Sequence, residues 1–204
     1  GGMGIGVSLS GLASAVAANG GIGIISAAQP GFDEPDFEKN SLAANLRALK
    51  RHIKEAIMKA KGGIIGVNIM CAMNDYEDLV KASIEAGAQL IISGAGLPTT
   101  LPKLCQDTDV KIAPIVSSNK AASLILKLWD RNYNTTADAV LVEGPEAGGH
   151  LGFKAEDLEK YSECSFDEEL VNIINTVKTY EEKYNKSIPV IAAGGVYTGS
   201  DIGR

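Results

Sequence analysis

Residues 141–153 read LVEGPEAGGHLGF. An apolar run ends there in a carboxylate, followed by glycines and by His150, one of two histidines in the chain. A buried strand has no use for such an ending. Glu143, where the run closes, can accept hydrogen bonds from sugar-like hydroxyls or pair with a neighbouring loop. Gly148 and Gly149 let backbone approach a bound molecule closely. An imidazole on the loop just after them can take or give a proton near neutral pH, so His150 is the candidate catalytic residue. A second glycine pair, Gly194 and Gly195 in IPVIAAGGV, sits between an apolar run and a helix. N–H groups presented there suit an anion such as phosphate.

Two weaker signals accompany these. The opening GGMGIG is denser in glycine than a tight turn needs, and a flat ligand lying on the backbone would account for the excess. Asn68 is a polar residue inside the apolar strand IIGVNIM, and a buried amide needs a partner, a ligand heteroatom being one. A dinucleotide fingerprint is not met, because Leu9 stands where its third glycine belongs. The other histidine, His52, lies between Arg51 and Lys54 in an amphipathic helix and reads as solvent-facing. Cys71, Cys105 and Cys164 have no metal-ligand or disulfide spacing. With no carboxylate pair, Cys–His dyad or metal cluster in the sequence, neither hydrolysis nor metal chemistry finds support, and no metal is expected.

The elements that must position these residues alternate. Apolar runs at 22–26, 64–70, 88–94, 111–117, 137–144 and 188–195 predict strands. Helical patterns at 11–18, 41–60, 75–87, 99–106, 119–131, 167–184 and from 198 onward separate them. In the helix at 41–60, Leu42, Leu46, Leu49, Ile53 and Ile57 form the expected buried stripe, with Asn40 or Ser41 as cap. Strands that are apolar throughout are buried on both faces, which implies a parallel sheet with right-handed crossovers. Polar and glycine residues follow every strand, and a TIM (β/α)8 barrel builds its site at that C-terminal face from many loops. An open doubly wound sheet would concentrate the site at one switch point. The fold expected is therefore α/β, an incomplete TIM barrel. It has six strands plus the loop GGMGIG, with strands 1 and 8 missing, and residues 1–204 form a single domain truncated at both ends.

Composition narrows the partners. The 204 residues carry a net charge of −6 and no clustered basic face, which disfavours nucleic acid. No apolar run reaches the ~18–20 residues that span a bilayer, and no signal peptide opens the chain. A small-molecule substrate and a reducing cytoplasm are expected, and a homodimer is compatible with the sequence.

Taken in order, GGMGIGVSLSGLASAVAANGGIGIIS, GVNIM, ISGAGLP, ADAVLVEGPEAGGHLGF and PVIAAGGVYTGSDI resemble the nitronate monooxygenase (2-nitropropane dioxygenase) family, which includes the FMN-dependent enoyl-acyl-carrier-protein reductases II. The resemblance implies a TIM barrel holding FMN. It implies that Gly2, Met3 and Gly4 lie against the flavin ring, that Asn68 contacts the cofactor and that Glu143 is near its ribityl chain. Gly148 and Gly149 would line the site, Gly194 and Gly195 would hold the phosphate, and His150 would be the catalytic histidine. The segment 27–40 is longer than in the compact reductases. The implied activity is oxidation of alkyl nitronates with O2 to carbonyl compounds and nitrite. The alternatives are NAD(P)H-dependent reduction of enoyl thioesters and a flavin-free, non-catalytic piece.

Overall fold

The computed structural model describes residues 2–149, 152, 153, 158, 161 and 163–202. Their order is α1 (Ser10–Ala18), β1 (Gly23–Ser26), α2 (Ser41–Lys59), β2 (Ile65–Met70), α3 (Tyr76–Glu85), β3 (Leu90–Gly94), α4 (Leu101–Leu104), β4 (Lys111–Val116), α5 (Asn119–Tyr133), β5 (Val140–Glu143), α6 (Glu163–Tyr184), β6 (Val190–Ala193) and α7 (Gly199–Ile202). Every predicted strand and helix is present, and α6 begins at Glu163 rather than 167. Six β/α repeats with parallel strands make the fold class α/β, an incomplete TIM barrel.

The chain folds as two compact units, Gly1–Gly96 with Thr100–Ile112, and Leu97–Thr99 with Ala113–Arg204. In the first, β1, β2 and β3 pair in parallel in chain order. The register Ser26↔Asn68 brings two polar residues level at the C-terminal ends of their strands. Ile25, Ile65, Val67, Ile69 and Ile91 are fully buried, and β3 is buried throughout. That matches strands covered on both faces.

Helix α2 corrects the predicted stripe. Its buried residues are Ala44, Asn45, Ala48, Leu49, His52, Ile53 and Ala56, while Leu42 and Ile57 are each 38% exposed. Alanines let the neighbouring elements come close, and the buried face keeps Leu49 and Ile53 but turns away from Leu42 and Ile57. Asn40 caps α2 by accepting from Ala43 N–H at 3.2 Å.

In the second unit β4 pairs with β5 and β5 with β6, again in parallel. Trp129, Ile125 and Leu126 of α5 are fully buried with Ile173 of α6. The indole N–H of Trp129 donates to Pro98 O at 2.9 Å, so this large side chain brings no unpaired donor into the core. Strand β6 departs from the expected two-sided burial: Ile191 is 40% exposed. Among the described strands it pairs with β5 alone, so one side lacks a strand neighbour. No helix among the described residues is long and apolar enough to cross a membrane.

Candidate active site

In the first unit the segment from Gly2 to Ser8 folds onto the ends of β1 and β2. Met3 N–H donates to Ser8 Oγ at 3.0 Å, Ser8 N–H returns to Met3 O at 2.9 Å, and Ser26 N–H donates to Ser8 O at 2.8 Å. These bonds close a small loop and tie it to the last residue of β1. A Cβ at Gly2 would stand 2.5 Å from the Asn68 Cβ, and one at Gly4 would stand 2.7 Å from the Ala28 Cβ. The protein's own packing therefore demands glycine at both places. This adds a cause to the close ligand approach that the sequence suggests. Met3, Ile5 and Val7 stay 53%, 51% and 52% exposed, an apolar surface on the same loop.

Next to Asn68, beyond the end of β2, a small polar network forms. Ser93, fully buried in β3, donates from Oγ to Ile69 O at 2.9 Å, and its oxygen lies 3.2 Å from Cys71 Sγ and 3.0 Å from Tyr76 Oη. Burial pushes the Cys71 thiol and the Tyr76 phenol upward, so both stay protonated at neutral pH. These residues are structural, and Cys105 is buried.

His52 is the clearest correction. It is 7% exposed rather than solvent-facing. Its Nδ1 lies 3.1 Å from Ser10 Oγ, which donates onward to Glu55 Oε2 at 2.9 Å, and Nε2 is buried with no partner. Burial first, then the Arg51 charge, lowers its pKa, so it is a neutral core residue. Charged neighbours in sequence masked a position on the inner face of α2.

In the second unit the register Glu143↔Ala193 sets Glu143 beside the residue before Gly194. The Glu143 carboxyl is half-buried, and burial alone raises its pKa. Such a group gains by accepting hydrogen bonds from a ligand. Gly144 N–H donates to Ala193 O at 2.9 Å, and Ala147 N–H to Gly144 O at 3.1 Å, making a turn that lies on the β6 loop. Gly194 and Gly195 both have left-handed φ, 93° and 74°. A Cβ at Gly194 would meet Ala147 N at 2.6 Å, and one at Gly195 would meet Glu146 Oε2 at 2.7 Å. Consecutive residues of this kind turn N–H groups into a concavity that suits an anion. The Glu146 carboxylate stands beside it, but Glu146 is exposed and can turn away. Past the glycine pair, the carboxylate of Asp201 accepts from Tyr197 and Thr198 N–H at 2.9 and 2.6 Å and caps the entry to α7.

Gly148 and Gly149 differ from all of these. Among the described residues, a Cβ at either would meet nothing within 4 Å. Only Gly149 is left-handed, with φ 90°. Packing among the described residues gives no reason for glycine at 148. The catalytic candidate His150 lies outside the described residues.

The fold therefore brings Gly2, Met3, Gly4 and Asn68 together in the first unit, and Glu143, Gly194 and Gly195 together in the second. Sequence reasoning missed Glu146 beside the Gly194–Gly195 turn. Its only signal was its place in the same EGPEAGGH stretch.

Comparisons with known proteins bear on the fold and the family. FabK from Thermotoga maritima superposes with a TM-score of 0.69 at 29% identity, covering 99% of this chain and 51% of that one. Nitroalkane oxidase from Streptomyces ansochromogenes has a TM-score of 0.71 at 20% identity over 99% of this chain and 59% of its own, a likeness of fold. A (3aS,4S,5R,7aS)-5-hydroxy-7a-methyl-1-oxo-octahydro-1H-indene-4-carboxyl-CoA dehydrogenase from Mycobacterium tuberculosis is 28% identical over 188 residues, which are 92% of this chain and 42% of that protein. The chain thus spans about half the length of these relatives. The family model for nitronate monooxygenase matches residues 1–203. The chain belongs to the nitronate monooxygenase family, whose members are oxidoreductase enzymes.

Proposed function

We propose that this chain is the FMN-holding part of a nitronate monooxygenase, an enzyme that oxidises alkyl nitronates with O2 to carbonyl compounds and nitrite. The carrying observation is the family match over residues 1–203. Each unit carries residues that fit part of FMN. Gly194 and Gly195 offer a left-handed pair to its phosphate once Glu146 turns outward. Glu143 offers an uncompensated carboxyl to its ribityl hydroxyls. The loop of Gly2, Met3 and Gly4, beside Asn68, offers an exposed apolar surface to the flavin ring. FMN, when bound, supplies the electron transfer between substrate and oxygen.

The chain's own part is to bind, orient and move a proton. His150 takes the α-proton from the carbon of a neutral nitroalkane, or hydrogen-bonds the oxygens of a nitronate that arrives already ionised. An imidazole does both near neutral pH. The substrate is a small molecule.

An enoyl thioester reductase is the second reading. It is favoured by the 29% identity with FabK, an enoyl-ACP reductase II, and by the carboxyl-CoA named for the mycobacterial relative. Steady-state assays decide between them. Nitrite release from an alkyl nitronate, with no NADH oxidation stimulated by enoyl thioester, supports the monooxygenase; the reverse pattern replaces it with the reductase.

A further inference from the structure

From Met3 to Val7 the opening loop turns its side chains outward. Met3, Gly4, Ile5, Gly6 and Val7 are all exposed, while Ser8, at the loop's end, is fully buried. Burial of apolar side chains therefore does little to set the loop's shape. Hydrogen bonds set it. The Ser8 hydroxyl oxygen accepts from Met3 N–H at 3.0 Å, Ser8 N–H donates to Met3 O at 2.9 Å, and Ser8 O accepts from Ser26 N–H at 2.8 Å. One residue thus closes the loop and fastens it to the last residue of β1. The seat beneath is fixed as well. Gly2 rests on Asn68 and Gly4 on Ala28, so closely that a Cβ at either would overlap them. Asn68 O accepts from Ala27 N–H at 3.0 Å, and Ser26 Oγ accepts from Ala28 N–H at 3.3 Å, which ties both supports to the strand ends.

The bond from Met3 N–H to the Ser8 hydroxyl depends on a side chain, so a substitution can remove it and leave the backbone bonds in place. Met3 is exposed, so water can replace the lost oxygen while the loop is bare. Beneath a bound ring the same N–H would lose water and have no partner, and an unpaired buried donor is costly. The loss of the hydroxyl therefore falls mainly on the ligand-bound state. A serine that merely supported the fold would show its loss in the free protein.

We infer that Ser8 is a positioning residue for the flavin, holding the Gly2–Met3–Gly4 backbone in the form on which the ring is laid. The inference rests on the proposed function, which gives this loop to the ring. Ser8 acts through the Met3 backbone and has no part in the chemistry. The test compares full-length wild type, Ser8→Ala and Ser14→Ala, each freed of flavin and titrated with FMN by fluorescence. Ser14 is the control, a buried serine of α1 whose hydroxyl donates to Gly11 O at 3.1 Å, outside the loop. Ser8→Ala should raise the FMN dissociation constant by roughly 10-fold, the scale of one donor left unpaired in the complex. It should also shift the visible absorbance bands of the bound flavin, and its flavin-free form should keep the wild-type far-ultraviolet circular dichroism. Ser14→Ala should change neither affinity nor bands. An unchanged dissociation constant in Ser8→Ala, bands that stay at the wild-type position, or an equal loss in Ser14→Ala overturns the inference alone. Failure of Ser8→Ala to fold without flavin also overturns it, because Ser8 then supports the fold. Wild type that takes up no FMN defeats the proposed function and the inference together.

Discussion

Replacing Gly148 with alanine separates a glycine that the fold needs from one that a ligand needs. At Gly148 an added methyl meets nothing within 4 Å, and the residue is outside the left-handed region. The folded chain should therefore accept alanine with a stability change within about 0.5 kcal/mol. Any gain would come from the stiffer unfolded chain. If FMN packs against this backbone, the same methyl overfills the contact, at a cost of about 1–3 kcal/mol. That is a rise of roughly 5- to 150-fold in the FMN dissociation constant. Gly194→Ala is the control, because it fails by another route. Its left-handed φ of 93° costs alanine about 1–2 kcal/mol before the methyl strikes Ala147 N at 2.6 Å. That variant should lose stability and flavin together. Urea melts of the flavin-free proteins and fluorescence titrations with FMN give both quantities. An FMN dissociation constant unchanged in Gly148→Ala would refute the idea that open space at this loop is ligand space.

His150→Ala should keep FMN and the fold while turnover of a neutral nitroalkane drops by roughly 10²–10⁴-fold, the contribution of a positioned general base; wild-type rates in stopped-flow assays would remove His150 from the mechanism. Gly195→Asp should abolish FMN binding with the far-ultraviolet circular dichroism retained, because a second carboxylate joins Glu146 where a phosphate dianion should sit; full flavin occupancy would relocate the phosphate. Glu143 carries a pH signature in the flavin-free protein. Burial raises its folded pKa above the ordinary 4.5, so its contribution to stability is complete below pH 4.5 and is lost as pH rises through the folded value. Glu143→Gln should accordingly be more stable than wild type at pH 8 and show no such advantage below pH 4.5. Equal urea midpoints at pH 8 would contradict that.

The alternation of strand and helix was legible because buried parallel strands must be continuously apolar, as in AQLIISG, and because amphipathic periodicity and Gly62-Gly63 bracket α2. The inner face of α2 was not legible. Hydrophobicity ranks Leu42 and Ile57 above Ala44, Ala48 and Ala56, but close helix packing prefers the small residues, and it carried His52 inside with them. The causes of the glycines were only half legible. That Gly2 rests on Asn68 and Gly194 on Ala147 depends on parallel register, which one sequence does not contain. At Gly148 the described residues supply no packing reason for the glycine.

Anaerobic addition of propyl nitronate to purified full-length protein, followed by its visible absorbance spectrum, tests the flavin-dependent reading most directly. The expected result is a protein that is yellow as isolated, whose flavin band bleaches with nitronate and returns when O2 is admitted. A colourless protein that takes up no FMN, or a flavin band untouched by nitronate, would contradict it.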